Sequence, residues 1–495
     1  MRLLTVRSPL LALKLESSQK NLLIFNFTIA MSQGNETKIL IFSLAITGAI
    51  IGGGGWWAYN SGLIGAGGDK TPIAATNGGE GLQTRLSNGD RLLVSDTTTP
   101  QKQAGIQALS AKNYSEAITN FEASLKTIQN DPETVIYLNN AKIGNAQSYT
   151  LAVSVPIGGN IDAAKEMLRG VAQAQQSVND LGGINGIPLK ILIADDDNSP
   201  EIAREIAGEF ANNRDILGVV GHFGSDTTQA AAQVYQEKGL PMISPTSTSV
   251  ELSGVGDYIF RSVPSDRFTG SAIARYQLDT LQKQKAAIFY NPQSNYSQSL
   301  KEVVNTDLLS QGGEVVAEFD LTGNFNANNA VTEAKNKGAE VLILLSNSET
   351  LDAALQVVRV NGRSLPLLAG DSAYTAKTLQ IGGQNAEGMV LAIPWHILAA
   401  PNTPFAKMAG QLWGGEVNWR TAMSYDALQA FIAALNQNPT RQGVQQALSD
   451  RNFLGEGASQ KIRFLPSGDR NQAVQLVIIE PGNRTSFGYE FVPIQ

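Results

Sequence analysis

Most of the chain alternates short apolar runs with longer amphipathic stretches. From Tyr149 onward, LAVSVP (151–156) reads as a strand. Residues 162–180 then place Met167, Leu168, Val171, Ala174 and Val178 on one helical face. PLKILIAD (188–195), helix 200–212, LGVVG (217–221), helix 225–238 and LPMIS (240–244) continue the pattern. A second series runs through helix 268–281, AAIFY (286–290), helix 295–311, strand 314–319 and helix 327–337. It closes with VLILL (341–345), helix 349–360, LPLLA (365–369) and MVLAI (389–393). Strands alternating with helices of this length predict βαβ units, so the fold class is α/β with parallel sheets flanked by helices. Two such series predict two lobes.

The pattern upstream is different. Residues 39–59 (ILIFSLAITGAIIGGGGWWAY) form an apolar run, and no charge falls between Lys38 and Asp69. A run of about 20 apolar residues is long enough to cross a bilayer as a helix. Trp56, Trp57 and Tyr59 sit where an interfacial aromatic belt lies. Arg2, Arg7, Lys14, Lys20 and Lys38 place a segment 1–38 in the cytoplasm and the main domain outside it. A cleaved secretory signal, with secretion after cleavage near Ala66, is the competing reading. A buried core helix fits poorly, because Gly52–Gly55 disfavour a helix interior. Met31 opens MSQGNETKILIF, so translation from Met31 is an alternative start.

Residues 60–100 are rich in Gly, Thr, Asn and Ser and predict a flexible linker. Residues 101–145 predict a helical hairpin, with Ala104, Ala108, Ala117, Ile118, Phe121 and Leu125 at helical spacing and a break at Asp131-Pro132. Tyr114, Ala117, Phe121 and Pro132 resemble the tetratricopeptide pattern. One such repeat cannot bury its own apolar face, since solenoids need about three. The hairpin therefore either packs on the next domain or docks a partner.

Composition narrows the function. The 495 residues carry a net charge of −7, with no general basic footprint for nucleic acid. Zero cysteine excludes disulfides, thiolate nucleophiles, Cys-ligated metals and a lipidated-cysteine anchor. The two histidines, His222 and His396, leave little for a His-rich metal site, and His222 shows no acid–Ser–His spacing. Asp195-Asp196-Asp197 reads either as a hard-cation site or as a strand end with capping acids. No catalytic residue, metal or cofactor is expected, and binding is favoured over reaction.

In parallel sheets, ligands sit beyond the carboxyl ends of strands, where helix N-termini point. Two stretches fit: His222 to Thr228 after strand 217–221, and Pro245 to Ser249 after strand 240–244. Both offer hydroxyls and backbone N–H groups suited to a carboxylate, or to helix capping alone.

Residues 149–495 resemble the type I periplasmic solute-binding proteins of ABC importers, branched-chain amino acid class. The strings that carry the resemblance are LGGINGIPLKILIADDDNSP, GVVGHFGSDTTQAAAQVYQEKGLPMISPTSTSVELS, YNPQSNYSQSL, LLAGDSAY, AEGMVLAIPW, YDALQA and KIRFLPSGD, in order. The resemblance implies two lobes closing on a ligand, with hinge crossings near Pro264, Pro394 and Gln475. Lobe one would hold 149–264 and 394–475, and lobe two 265–393 and 476–495. It implies that Ser225, the Thr246 backbone and Thr248 hold an α-carboxylate, that Asp371 pairs with the α-ammonium, and that Tyr296 packs on the ligand. By residues alone, Asp371 also reads as a helix cap and Tyr296 as a core aromatic. Three positions depart from the family: Ala163 and Asn347 replace aromatics, and Arg420 falls near an apolar wall position. These changes point away from a leucine-like side chain and toward a polar or acidic amino acid. The positions of a disulfide in relatives align with Asn198 and Gly224. The implied partners are a small-molecule ligand, an ABC permease and, through the N-terminal helix, the membrane. A sensor subunit signalling to a membrane partner is the alternative.

Overall fold

The computed structural model describes residues 78–494. The expected cytoplasmic segment 1–38 and membrane helix 39–59 lie outside the described residues. Among the described residues, no helix is long and apolar enough to cross a membrane.

The first lobe is built on six strands: β1 (Leu86–Ser87), β2 (Tyr149–Val155), β3 (Leu189–Asp195), β4 (Ile216–Val220), β5 (Met242–Ser244) and β6 (Ile259–Arg261). Their order is β1-β3-β2-β4-β5-β6. Strands β2 to β6 are parallel, with Val153 opposite Ile193 on one side and Val220 on the other. The second lobe carries β7 (Lys285–Tyr290), β8 (Glu314–Asp320), β9 (Val341–Leu345), β10 (Leu367–Ala369) and β11 (Val390–Ile393). A two-stranded ribbon, β12 (Gly455–Glu456) and β13 (Lys461–Ile462), precedes β14 (Gln475–Pro481) and β15 (Tyr489–Pro493). The second sheet runs β15-β14-β11-β10-β9-β7-β8. All five residues of VLILL are buried, as a central parallel strand covered on both faces requires.

Neither sheet is purely parallel, which corrects the expectation. Strand β1 is antiparallel to β3, β14 to β11, and β15 to β14. The connection from β14 to β15 is too short for the crossover that a parallel pair needs, so a hairpin results. Strand β1 has only two residues, and β14 and β15 follow one another without an intervening helix, so the strand–helix alternation does not reveal them.

The chain passes between the sheets three times. It leaves the first after Arg261 and forms the helix Asp266–Arg275 beside β11. After Ile393 it returns, and the helix Trp419–Gln437 packs along Ile161–Asp180. Gly170 permits that approach, because a Cβ there would lie 2.2 Å from the Thr421 carbonyl oxygen. At Gln475 the chain enters the second sheet again.

Of the segment expected to be a linker, the part from Gly78 onward is not a free tether. Leu86 and Ser87 pair with β3, and Val94 is fully buried. The Leu93 and Val94 N–H groups donate to Glu133 Oε1 at 2.8 and 3.2 Å. A few apolar side chains in a polar stretch thus suffice to dock it. Three helices follow, Pro100–Ser110, Tyr114–Thr127 and Pro132–Ile143. The first and third start with Thr99-Pro100 and Asp131-Pro132, where the side chain caps and proline occupies the first helical position. Gly105 lets the Phe121 ring lie against the first helix, with a would-be Cβ at 2.6 Å. Residues Pro132 to Ala141 are all buried, so the third helix packs into lobe one against Ile161–Asp180. Asn140 completes the join, donating to the Ile191 carbonyl at 2.7 Å and accepting from Ile191 N at 3.1 Å. Inside the unit, Lys102 is fully buried between Asp131 and Glu133, at 2.8 Å from each.

Candidate functional site

The loops at the carboxyl ends of both sheets face each other across a narrow cavity of about 70 Å³. From lobe one come Ser225 and Asp226, which open the helix Ser225–Lys238 after β4, and Thr246 after β5. Lobe two contributes Tyr296, Asn347 and Asp371, beyond β7, β9 and β10. Trp419 and Arg420, at the start of the long helix Trp419–Gln437, close one side. A wider, more open cavity of about 690 Å³ adjoins it and shares Asn198, Ser348, Glu349, Ser372 and Arg420. Ala163 lines that outer space.

Four of the five expected ligand residues therefore border one cavity. Ser225 is the first residue of its helix, and its Oγ accepts from Ser249 N at 3.4 Å. Gly224 precedes it and offers no side-chain cap, so the helix N-terminus is open to an anion. Thr246 Oγ1 is already used, donating to the Phe223 carbonyl at 2.8 Å, while its backbone N makes only a long bond, 3.4 Å, to Ser244 Oγ that a ligand carboxylate can replace. Thr248 is the exception: it is fully buried, does not line the cavity, and its carbonyl accepts from Asp266 N at 2.8 Å. Only Ser247 separates it from Thr246, but the turn directs it behind the wall.

Tyr296 and Asp371 form a unit. The Tyr296 hydroxyl donates to Asp371 Oδ1 at 3.0 Å. Gly370 makes room, since a Cβ there would lie 2.6 Å from that hydroxyl. Asp371 Oδ2 is buried without a hydrogen-bond partner. Burial pushes the Asp371 carboxyl up to about 7; buried Asp266 adds to this, while Arg420 and the Tyr296 hydroxyl oppose it. Asp266 is itself raised to about 6 by burial. An unpartnered, poorly solvated carboxylate is a receptor for a cation.

Other contacts cross from lobe to lobe around the cavity. Asn295 N donates to both carboxylate oxygens of Asp226 at 3.2 and 3.3 Å, and Asn295 Nδ2 to Gln229 Oε1 at 2.6 Å. Asn160 Nδ2 reaches Ser348 Oγ at 3.1 Å, and Val250 N donates to Ser299 Oγ at 2.9 Å. Sequence reasoning missed these pairs, because no local pattern links residues on opposite lobes.

Other candidate chemistry is absorbed structurally. Asp195 accepts from Gly158 N and Asp197 N, and Arg85 reaches both Asp195 and Asp197. Asp196 accepts from His222 Nδ1 at 2.6 Å and from Ser154 Oγ at 2.9 Å. The other His222 nitrogen meets the Tyr235 hydroxyl at 3.1 Å, all of it buried. His396 caps a short turn through Leu398 N, and burial lowers its pKa to about 4. Asn198 and Gly224 lie side by side: Asn198 Oδ1 accepts from Thr227 Oγ1 at 3.1 Å and fills the space beside Gly224.

Two α/β lobes joined by three chain crossings, with a polar cleft between them, define a solute-binding protein. Residues 148–481 match the periplasmic binding protein family, and the chain belongs to that family. Its members bind solutes and are not enzymes. The chain is 28% identical over 283 residues to an amino acid binding protein of Pseudomonas aeruginosa, covering 56% of this chain and 75% of that one. It is 29% identical over 276 residues to the Leu/Ile/Val-binding protein of Escherichia coli, covering 54% and 74%. A leucine-binding protein from Thermotoga maritima has a similar fold, with TM-score 0.62, 21% identity, and coverage of 69% of this chain and 97% of that one. So does an ABC transporter substrate-binding protein from Desulfitobacterium hafniense in complex with Leu, with TM-score 0.60, 24% identity, and coverage of 70% and 100%.

Proposed function

We propose that this protein captures an amino acid between its lobes outside the cytoplasm and delivers it to an ABC permease. The observation that carries the reading is a pairing of opposites in one cavity. Asp371 Oδ2 waits without a partner, and across from it stand the Ser225 hydroxyl and an uncapped helix N-terminus. A carboxylate receptor facing an ammonium receptor suits a zwitterionic head group. In this reading Ser225 and the Thr246 backbone hold the α-carboxylate, Asp371 holds the α-ammonium, and Tyr296 orients Asp371. Thr248 supports the carboxylate loop from behind. The relatives' names, amino acid binding and Leu/Ile/Val-binding, support the same class.

Lobe motion pivots on hinges near Pro264, Pro394 and Gln475, and the cross-lobe bonds of Asn295 and Asn160 hold the closed form. Closure is then the signal read by the permease. The apolar segment 39–59 tethers the domain to the membrane and raises its effective concentration at the transporter. The helical unit 101–145 serves as a stem, since its third helix is spent on packing against lobe one.

A thermal-shift screen of the purified protein against amino acids, amides and urea tests the reading. A ligand at a hundredfold excess over Kd stabilises by about 2.7 kcal/mol. A shift with amides or urea but with no amino acid refutes it.

A further inference from the structure

The cleft holds a charged group that the head-group contacts leave unused. Arg420 lines the cavity and is only 6% exposed. Its guanidinium lies over the Trp419 ring at 4.3 Å, and Nη1 donates to the Tyr374 carbonyl at 3.2 Å. Its Nε has no hydrogen-bond partner, and no ion pair among the described residues includes Arg420. Asp371 and Glu166 act on it from a distance. Glu166 is already engaged by Arg169 and Thr421.

Folding does not account for this arrangement. A buried guanidinium with no carboxylate in hydrogen-bond contact is destabilising. Arg420 also sits in the first turn of its helix, next to the Asn418 cap, where the helix dipole opposes a positive charge. The planar fork of arginine matches a carboxylate with two parallel hydrogen bonds. The α-carboxylate, however, already has its receptor at Ser225.

Resting on the amino-acid reading of the cleft, we propose that Arg420 is the specificity residue and receives a second, side-chain carboxylate, so that the ligand class is an acidic amino acid. The acids that also line the cavity do not favour a basic side chain instead. Both Asp226 oxygens accept from Asn295 N, and Glu349 is exposed at the rim. Their charges are bonded or solvated, whereas Arg420 has a carbonyl and an aromatic face but no carboxylate in contact. Arg420 borders both cavities, which Asn347 lines on the inner part and the small Ala163 on the outer part.

Titration calorimetry on the protein, stripped of ligand by unfolding and refolding, tests the assignment with glutamate, aspartate, glutamine, leucine and lysine. Glutamate or aspartate binds at least tenfold tighter than the other three. Arg420→Met weakens the acidic ligand about a hundredfold and leaves glutamine or leucine unchanged or tighter, as expected for a lost charge-assisted pair. Arg420→Lys retains the acidic preference at reduced affinity, and circular dichroism confirms that both variants fold. If Arg420→Met does not fold, the wild-type ranking decides. Leucine or lysine binding tightest overturns the proposal, as does an equal loss for every amino acid in Arg420→Met. Binding of neutral amino acids without acidic preference removes the Arg420 assignment alone. Absence of binding by all five removes the amino-acid reading beneath it.

Discussion

Replacing Asp371 by asparagine should stabilise the empty protein while destroying its function. The carboxyl rises from 3.8 in the unfolded chain to about 7 in the folded one, chiefly through burial. About three units at about 1.4 kcal/mol each give roughly 4 kcal/mol as an upper bound on what the ionised form costs the fold. The sign follows from proton binding. Between pH 4 and 7 the folded state holds the proton and the unfolded state does not, so wild-type stability falls as pH rises through that window. Asparagine avoids this cost. It still accepts from the Tyr296 hydroxyl and places an uncharged amide where Oδ2 lacked a partner. For a chain of this size, about 1 °C of melting temperature corresponds to 1 kcal/mol. Asp371→Asn should therefore melt up to about 4 °C higher than wild type at pH 8, and the gap should close near pH 4. It should show no thermal shift with any amino acid. In the wild type, amino-acid affinity should weaken as pH falls below about 7, by up to about tenfold per unit for a single proton. A variant that melts lower at pH 8, or that still binds amino acids, refutes both the buried-carboxylate account and the ammonium assignment.

Three further outcomes follow from the packing. Lys102→Met strands the Asp131 and Glu133 carboxylates in the helical unit, and denaturant unfolding should register a loss of about 3–5 kcal/mol; a loss below about 1 kcal/mol refutes the pairing. Gly170→Ala drives a Cβ to 2.2 Å from the Thr421 carbonyl oxygen and 2.6 Å from Tyr425 N, so it should cost about 1–3 kcal/mol and also weaken ligand binding by shifting Arg420 on the same helix. Asn295→Ala removes the cross-lobe bond to Gln229 and should weaken amino-acid affinity about fivefold, about 1 kcal/mol, without changing stability in the empty state by more than that; an unchanged Kd by calorimetry means that this bond does not hold the closed form.

Much of the fold is local information. The five residues of VLILL and the strand read at 151–156 stand out because parallel strands buried on both faces are apolar throughout. The helix Pro200–Asn212 begins where its Ser199 cap and first-turn proline place it. Other elements carry no such signature. Strand β1 has only two residues, and β14 is apolar but pairs antiparallel at the end of a parallel series. The docking of Leu93 and Val94 involves Glu133, 40 and 39 positions further along the chain, and that of Leu86 and Ser87 involves β3.

The alternation of strands and helices, the two lobes, and the hydroxyls and acids at the strand ends are all legible in the residue order. They are legible because apolar periodicity and capping act over a few residues. Only the tertiary structure decided how those loops face one another. Tyr296 meets Asp371 across 75 positions, and Asp226 meets Asn295 across 69. It also placed Thr248 behind the wall and left Arg420 lining the cleft without an ion pair among the described residues. Burial, partner and charge balance at these residues are properties of the assembled cleft, set by long-range packing, and no short stretch of chain encodes them.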